Sequence, residues 1–320
     1  MFLFFAHKRC FSAYLPTRIE LMLDNLTTEA RNPASEDLDA LSPRAIVELI
    51  NSEDMKVAEA VRQQAEPIAK AIEVIAHRLD HGGRLIYIGA GTSGRLGILD
   101  AAECPPTFNS DPAKVIGIIA GGSQAMLRAV EGAEDSGQLA LEDLRKIELC
   151  SHDVVVGIAT SGRTPYVIGG LDYARSQGAF AIGLSCNRDA LVSTRADLSI
   201  VPVVGPEVVS GSTRMKAGTA TKMVLNMLST GAMVRMGKTY GNLMVDLQST
   251  NSKLTQRSKR IVCSLTDLSQ EQAAELLQRC DGELKTAIVA QRLTKSPEEA
   301  RQRLLAARGH LRQALENSHA

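Results

Sequence analysis

The stretch RLIYIGAGTSGRLG, residues 84–97, joins a short apolar run directly to glycines and hydroxyls. Its apolar residues are continuous rather than alternating, the pattern of a strand buried on both faces. Four similar runs follow: KVIGIIAGG (114–122), DVVVGIAT (153–160), AFAIGLS (179–185) and LSIVPVV (198–204). Helical patterns lie between them, SQAMLRAVEGAED (123–135) and TPYVIGGLDYARSQG (164–178) among them. Strand alternating with helix specifies a parallel sheet with right-handed crossovers and helices on both faces. The expected fold class is α/β, a three-layer sandwich about a five-stranded parallel sheet. Ligands of such sheets bind at the carboxyl ends of the strands, so the loops there are the first place to look for chemistry.

Outside the sheet the chain reads as helical. Residues 42–83 carry a Ser42 cap, Pro43 at the first helical position and Gly82-Gly83 as a stop. RMKAGTATKMVLNMLSTGAMVRMG (214–237) reads as a long apolar helix rich in small residues, suited to a core or a subunit interface. Near the end, SQEQAAELLQRCDGELKTAI (269–288) repeats as SPEEARQRLLAARGHLRQAL (296–315). Each copy has a capping serine with Glu two residues on, a helix, a Gly break and a second helix. Two copies are too few for a solenoid and suggest a small helical domain.

Composition narrows the function. Lys+Arg and Asp+Glu are both 36, which removes the electrostatic case for nucleic acid or an acidic membrane surface. Aromatic residues are 3% with no Trp, so stacking platforms for bases or polysaccharide are not expected. A small polar ligand suits the chain better. The six cysteines form no CxxC pair, which predicts free thiols in a reducing cytoplasm rather than a metal site or disulfides. The N-terminal MFLFFAHKRCFSAYLP has its basic residues after a short apolar start, the wrong order for a signal peptide. No run reaches the length of a membrane span, and a soluble cytoplasmic protein is expected.

Three loops are candidates for ligand binding. In GAGTSGRLG (89–97) the glycines let backbone approach an anion at a helix start. A dinucleotide site would need an acid ending the second strand, which instead ends IIAGG, and a P-loop would need Gly-Lys-Ser/Thr. The loop ATSGRTPY (159–166) repeats the design, so Thr92, Ser93, Ser161 and Thr164 form a candidate phosphate cradle without metal. Helix capping competes for some of these hydroxyls. The third loop, GPEVVSGSTRMKAG (205–218), adds Ser212 and Lys216, with Glu207, Ser210, Thr213 and Arg214 nearby.

Two acids complete the set. Glu103, in ILDAAECPPTF (98–108), is expected after the first helix, and Glu134, in AVEGAEDS (129–136), after the second. A solvated helix end is the commonest fate of a Glu, though acid is mildly unfavourable at a helix C-terminus. As a pair they could serve as acid and base. A ten-residue helix spans ~15 Å, which carries each acid away from the phosphate loops. Either the helices break early, at Gly94 or Gly97, or a neighbouring subunit completes the site.

LIYIGAGTSGRLGILDAAECPPTF, VEGAEDS, DVVVGIATSGRTPYV, GSTRMKAGTATKMVLNMLSTGAMVRMGKTYGNLMVDL and the upstream TEARNPASEDLD together closely resemble the N-acetylmuramic acid 6-phosphate etherases. The resemblance implies the sugar isomerase (SIS) fold and a homodimer that works without metal or cofactor. It implies a carbon–oxygen lyase that cleaves the lactyl ether of its phosphosugar to N-acetylglucosamine 6-phosphate and D-lactate, in cell-wall amino sugar recycling. By motif, Glu103 would donate a proton to the ether oxygen and Glu134 would act as the second acid, the base at C2. The implied organisation is an extension over 1–21, a helical segment over 22–74, a SIS domain over 75–238 and a C-terminal helical region over 239–320. Many SIS isomerases carry Ser-x-Ser-Gly-Glu-Thr in the second loop, where this chain has Ala159 and Arg163 in place of the first Ser and the Glu. That departure argues against an aldose–ketose isomerase. A phosphosugar isomerase and a sugar-phosphate-sensing regulator remain the alternatives.

Overall fold

The computed structural model describes residues 26–247 and 252–316, so the extension over 1–21 and Cys10 lie outside the described residues. Five strands, β1 (Leu85–Gly89), β2 (Val115–Ile119), β3 (Val154–Ile158), β4 (Phe180–Leu184) and β5 (Leu198–Ile200), form one parallel sheet in the order β2-β1-β3-β4-β5. The central strands β1 and β3 are buried at every residue, as their continuous apolar runs require.

Each face of the sheet buries one apolar layer. On the first face lie α1 (Pro43–Arg62), α2 (Ala65–Asp80), α3 (Gly91–Phe108) and α7 (Lys216–Arg235), packed on Tyr87, Val156 and Ile182. On the second lie α4 (Gly137–Lys146) and α5 (Pro165–Ser176), packed on Ile86, Ile88 and Val155, with the short α6 (Leu191–Thr194) at the edge. This is the expected α/β sandwich. Glycines set how closely the layers meet. A Cβ on Gly117 of β2 would stand 2.5 Å from Ile98 Cα, and one on Gly94 would stand 2.6 Å from the Gly89 carbonyl oxygen.

After α7 a two-stranded hairpin, β6 (Thr239–Tyr240) and β7 (Leu243–Met244), leads into α8 (Ser252–Thr266), α9 (Gln270–Arg279), α10 (Leu284–Leu293), α11 (Pro297–Ala306) and α12 (Leu311–Glu316). These helices bury an apolar cluster of their own. The sequence repeat is a repeat of core positions: Ala273, Leu277, Leu284 and Ala287 are buried, and so are their counterparts Ala300, Leu304, Leu311 and Ala314. Gly282 and Gly309 both turn the chain at positive φ, 78° and 77°. The capping boxes close through Gln272 and Glu299, three residues after Ser269 and Ser296 rather than two.

Four expectations are corrected. Residues 123–135 form no helix but two 3₁₀ turns, Ser123–Met126 and Ala133–Asp135, joined by irregular chain. The carbonyls of Ala125 and Met126, which a helix would use internally, accept instead from the Arg95 guanidinium at 2.7 and 3.1 Å, and Gly132 turns at φ 74°. Glu103 does not follow the first helix but lies within it. α3 runs unbroken past Gly94 and Gly97 and through Pro105-Pro106, ending at a left-handed Asn109. The last strand stops at Ile200, because the Val201 N–H donates to Gln64 Oε1 at 2.9 Å and Pro202 has no N–H to offer. The helical stretch over 43–80 is two helices, parted at Gln63-Gln64.

One buried ion pair ties the first face to the loop before α7. The Lys216 side chain is 1% exposed, and its ammonium lies 2.6 Å from Glu53 Oε2 on α1, whose other oxygen takes Lys56 at 2.5 Å. Burial alone raises the Glu53 carboxyl; hydrogen bonds from Lys216, Lys56 and Asn32 outweigh it and lower it from 4.5 to about 2. Glu53 therefore stabilises the fold fully above pH 4.5, and that contribution is lost as pH falls from 4.5 through about 2. Glu53→Gln leaves a buried ammonium without its counter-charge and should cost about 3–5 kcal/mol in urea unfolding at neutral pH. The gap between wild type and variant should narrow at acid pH; a gap independent of pH would show that the charge pair is not its source.

Candidate functional site

The strand ends gather four segments. α3 begins directly after β1 with Ala90 at its cap position, so no side chain blocks its first amides, and Thr92 and Ser93 stand in the first turn. The start of α7 adjoins it: Thr92 Cγ2 is 3.7 Å from the position of a Cβ on Gly218. On the neighbouring strand, Gly162 turns at φ 75° where a Cβ would stand 2.2 Å from Ala190 Cβ, so glycine alone fits this bend. Ser161 Oγ accepts from the Arg163 N–H at 3.4 Å, and Thr164 occupies the cap position of α5 without a side-chain capping bond. Capping thus claims none of the hydroxyls of Thr92, Ser93 and Thr164.

A fourth segment comes from far away in sequence. Thr28–Ser35 crosses the strand ends as a strap. Asn187, 1% exposed, accepts from the Thr28 N–H at 3.3 Å and donates to Thr28 Oγ1 at 3.1 Å and to the Thr160 carbonyl at 2.9 Å. The Thr28 carbonyl accepts from the Gly211 N–H at 3.1 Å, Asn32 Nδ2 donates to the Pro206 carbonyl at 3.2 Å, and Ser35 Oγ to the Val208 carbonyl at 2.8 Å. The strap begins the TEARNPASEDLD stretch of the resemblance, a polar run ahead of a capped helix that names no partner, and Asn187 lies in no quoted motif.

In the third loop, the buried Glu207 carboxylate accepts from the Lys216 and Ala217 N–H groups at 3.0 and 2.9 Å. The protein thereby sets its own anion at the α7 N-terminus, where the helix dipole favours one. Lys216 turns inward to Glu53, whereas Ser212 keeps partial exposure on the rim of the loop.

The two acids lie on different sides of this platform. Glu134 sits in the turn Ala133–Asp135, anchored by Ala133 in the second-face layer and packed against α5, the helix that the 159–164 loop starts. Arg95 holds the same excursion to α3. Glu103 is exposed on the first-face helix α3, twelve residues beyond Gly91 and so ~18 Å along its axis from the strand ends. No described residue pairs with the Glu103 carboxylate, which borders a cavity of about 330 Å³ walled by Leu96, Leu99 and Leu225. Its rotation about α3 is fixed by the buried Asp100 one turn earlier, which accepts from Tyr87 Oη at 2.8 Å, Asn226 Nδ2 at 2.7 Å and Ser229 Oγ at 3.2 Å. Burial, with the Asp100 charge beside it, pushes the Tyr87 phenol well above its ordinary value, so it stays a donor.

Within one chain, then, the structure gathers Thr92, Ser93, Ser161, Thr164 and the Glu134 turn around the strand ends and leaves Glu103 outside. Among the described residues no group of three or more His, Cys, Asp or Glu side chains could hold a metal ion, and no helix is long and apolar enough to cross a membrane.

The glucokinase regulatory protein N-terminal SIS domain model matches residues 67–175. N-acetylmuramic acid 6-phosphate etherase of Rhodopirellula baltica is 61% identical over 92% of this chain and 97% of its own. The enzyme of the same name from Clostridium beijerinckii is 53% identical over 92% of this chain and 97% of its own. Among solved structures, phosphoheptose isomerase from Neisseria gonorrhoeae superposes with a TM-score of 0.47 at 19% identity, over 60% of this chain and 98% of its own. With identity at this level over 92% of its length, the chain belongs to the N-acetylmuramic acid 6-phosphate etherase family.

Proposed function

We propose that this protein is a carbon–oxygen lyase that cleaves the lactyl ether of N-acetylmuramic acid 6-phosphate with water, releasing N-acetylglucosamine 6-phosphate and D-lactate in amino sugar recycling. Family membership supports the reaction. The observation that carries the mechanism is Glu103, an unpaired carboxylate fixed on a rigid helix beside a partly apolar cavity.

The chemistry needs only carboxylates and water. In the open-chain sugar the C1 aldehyde makes the C2 proton acidic, and Glu134 removes it. The lactate oxygen at C3 is a poor leaving group unless protonated as it departs, and Glu103 supplies that proton. The unsaturated aldehyde then takes water at C3 and recovers a proton at C2, which restores both acids. Thr92, Ser93, Ser161, Thr164 and Ser212 hold the phosphate through hydroxyls and the open amides of α3. Lys216, paired with Glu53, holds the third loop against α1 and serves the phosphate through that placement.

The acids belong to opposite faces of one sheet, so we infer a homodimer in which Glu103 of one copy meets the strand-end loops of the other. The outward sides of α3 and α7 carry Leu99, Met227 and Val234, exposed at 52, 40 and 45%, as an apolar face for that contact. A phosphorylated substrate and five free cysteines among the described residues suit a reducing cytoplasm. The isomerase reading is disfavoured by Ala159 and Arg163, and a sensor would leave Glu103 and Glu134 without work.

Purified protein incubated with N-acetylmuramic acid 6-phosphate should release D-lactate, and Glu103→Gln should lower that turnover by about a hundredfold or more with substrate binding kept. Well-folded wild type that yields no lactate would refute the activity, and undiminished turnover in the variant would remove Glu103 from the mechanism. Run in oxygen-18 water, the reaction should place label at C3 of the product sugar; label recovered in lactate instead would contradict elimination and rehydration.

A further inference from the structure

We propose that the cavity beside Glu103 is a pocket for the lactyl group, in which Lys222 binds the lactyl carboxylate and so selects ether substrates over sugar phosphates with a free 3-hydroxyl. Facing rows of two helices build the cavity: Leu96, Leu99, Asp100 and Glu103 from α3, and Lys222, Leu225 and Asn226 from α7. These spacings of three and four residues put each row on one helix face.

The lining matches the leaving group feature by feature. A lactyl ether presents an oxygen that must be protonated, a methyl group, and a carboxylate two bonds from that oxygen. Glu103 faces the first, and the three leucines offer an apolar wall to the second. The third needs a cation in the same cavity as the proton donor, and Lys222 is the one cation of its lining among the described residues. Lys222 has no hydrogen-bond or ion-pair partner among the described residues, and no ion pair joins it to Glu103. An unpaired acid and an unpaired ammonium thus border one small space without neutralising each other. Asp100 is a like charge in the wall, but its oxygens are turned to Tyr87, Asn226 and Ser229. Charge-assisted recognition in a partly apolar cavity is worth more than the same contact in water.

This assignment rests on Glu103 protonating the lactate oxygen, and the two fail differently. If Glu103→Gln turned over like wild type, the proton-donor reading would fall, whatever Lys222 did. Lys222 is read instead by charge discrimination. Wild type should prefer N-acetylmuramic acid 6-phosphate over its lactyl carboxamide, which keeps the ether oxygen and lacks the charge, by about 10- to 100-fold in kcat/KM. In Lys222→Met that preference should collapse to near unity, chiefly through KM for the carboxylate substrate, and Lys222→Arg should restore part of it. Retained binding of N-acetylglucosamine 6-phosphate, which has no lactyl group, reports that the variant is folded. A preference that survives in Lys222→Met, or an equal loss on both substrates, would overturn the proposal. Independently of any variant, D-lactate should inhibit the wild-type enzyme and D-lactamide should not; equal inhibition by the two would also overturn it.

Discussion

The three hydrogen bonds to Asp100 hold the rest in place. This carboxylate is buried where α3 crosses α7 over β1, and it takes a phenol from the sheet and an amide and a hydroxyl from α7. Hydrogen bonds to a charged acceptor contribute about 1.5–3 kcal/mol each, and losing the acceptor would strand a buried Tyr87 hydroxyl. With Asp100 turned inward, the geometry of a 3.6-residue helix turns Leu99, Ala102, Glu103 and Pro106 outward. The catalytic candidate is therefore aimed by a residue one turn away that itself need not touch substrate. The same bonds fix the spacing of α3 and α7, and with it the cavity that Glu103 shares with Lys222.

The strand-end platform is assembled on a different principle. Its loops are short, polar and rich in glycine, and they are held by partners distant in sequence. Asn187 and the Thr28–Ser35 strap clamp the 159–164 and 205–211 loops, Glu207 closes the α7 N-terminus, and Glu53 anchors Lys216 from α1. Such a framework leaves the first amides of α3 open to an anion while the corresponding end of α7 is occupied. In the proposed dimer, the rigid helix that carries Glu103 in one copy would meet the clamped loops of the other.

The sheet was legible because β-branched runs bounded by glycines have few alternative folds, and the C-terminal repeat because Ala, Leu and Gly recur at core and turn positions. What misled were segments whose local pattern is overruled from outside. SQAMLRAVEGAED has helical periodicity, but Arg95 takes the carbonyls that a helix would need. LSIVPVV has a strand-like composition, but Gln64 and Pro202 stop the ladder after three residues. Pro105-Pro106 look like a terminator and lie inside α3. For the site, residue types near glycine loops were readable, and Glu103 and Glu134 stood out as a pair. Lys216 reads as a phosphate-binding cation in the sequence because its pairing with Glu53 spans 163 residues and leaves no local sign. Asn187 lies in no quoted motif, and Asp100 and Lys222, though inside quoted stretches, have no role legible there, since what distinguishes them is where the fold places them.

In the proposed mechanism Glu103 and Glu134, on opposite faces of one chain, would come to each site from two copies. Mixed dimers decide this most directly. Protomers of Glu103→Gln and of Glu134→Gln, each inactive alone, are co-expressed with different tags, and the heterodimer is isolated and assayed for D-lactate release. If the acids come from different copies, one of its two sites is fully intact and the heterodimer should show about half the wild-type activity. If they come from the same copy, every site is damaged, and a heterodimer as inactive as its parents would contradict the shared site.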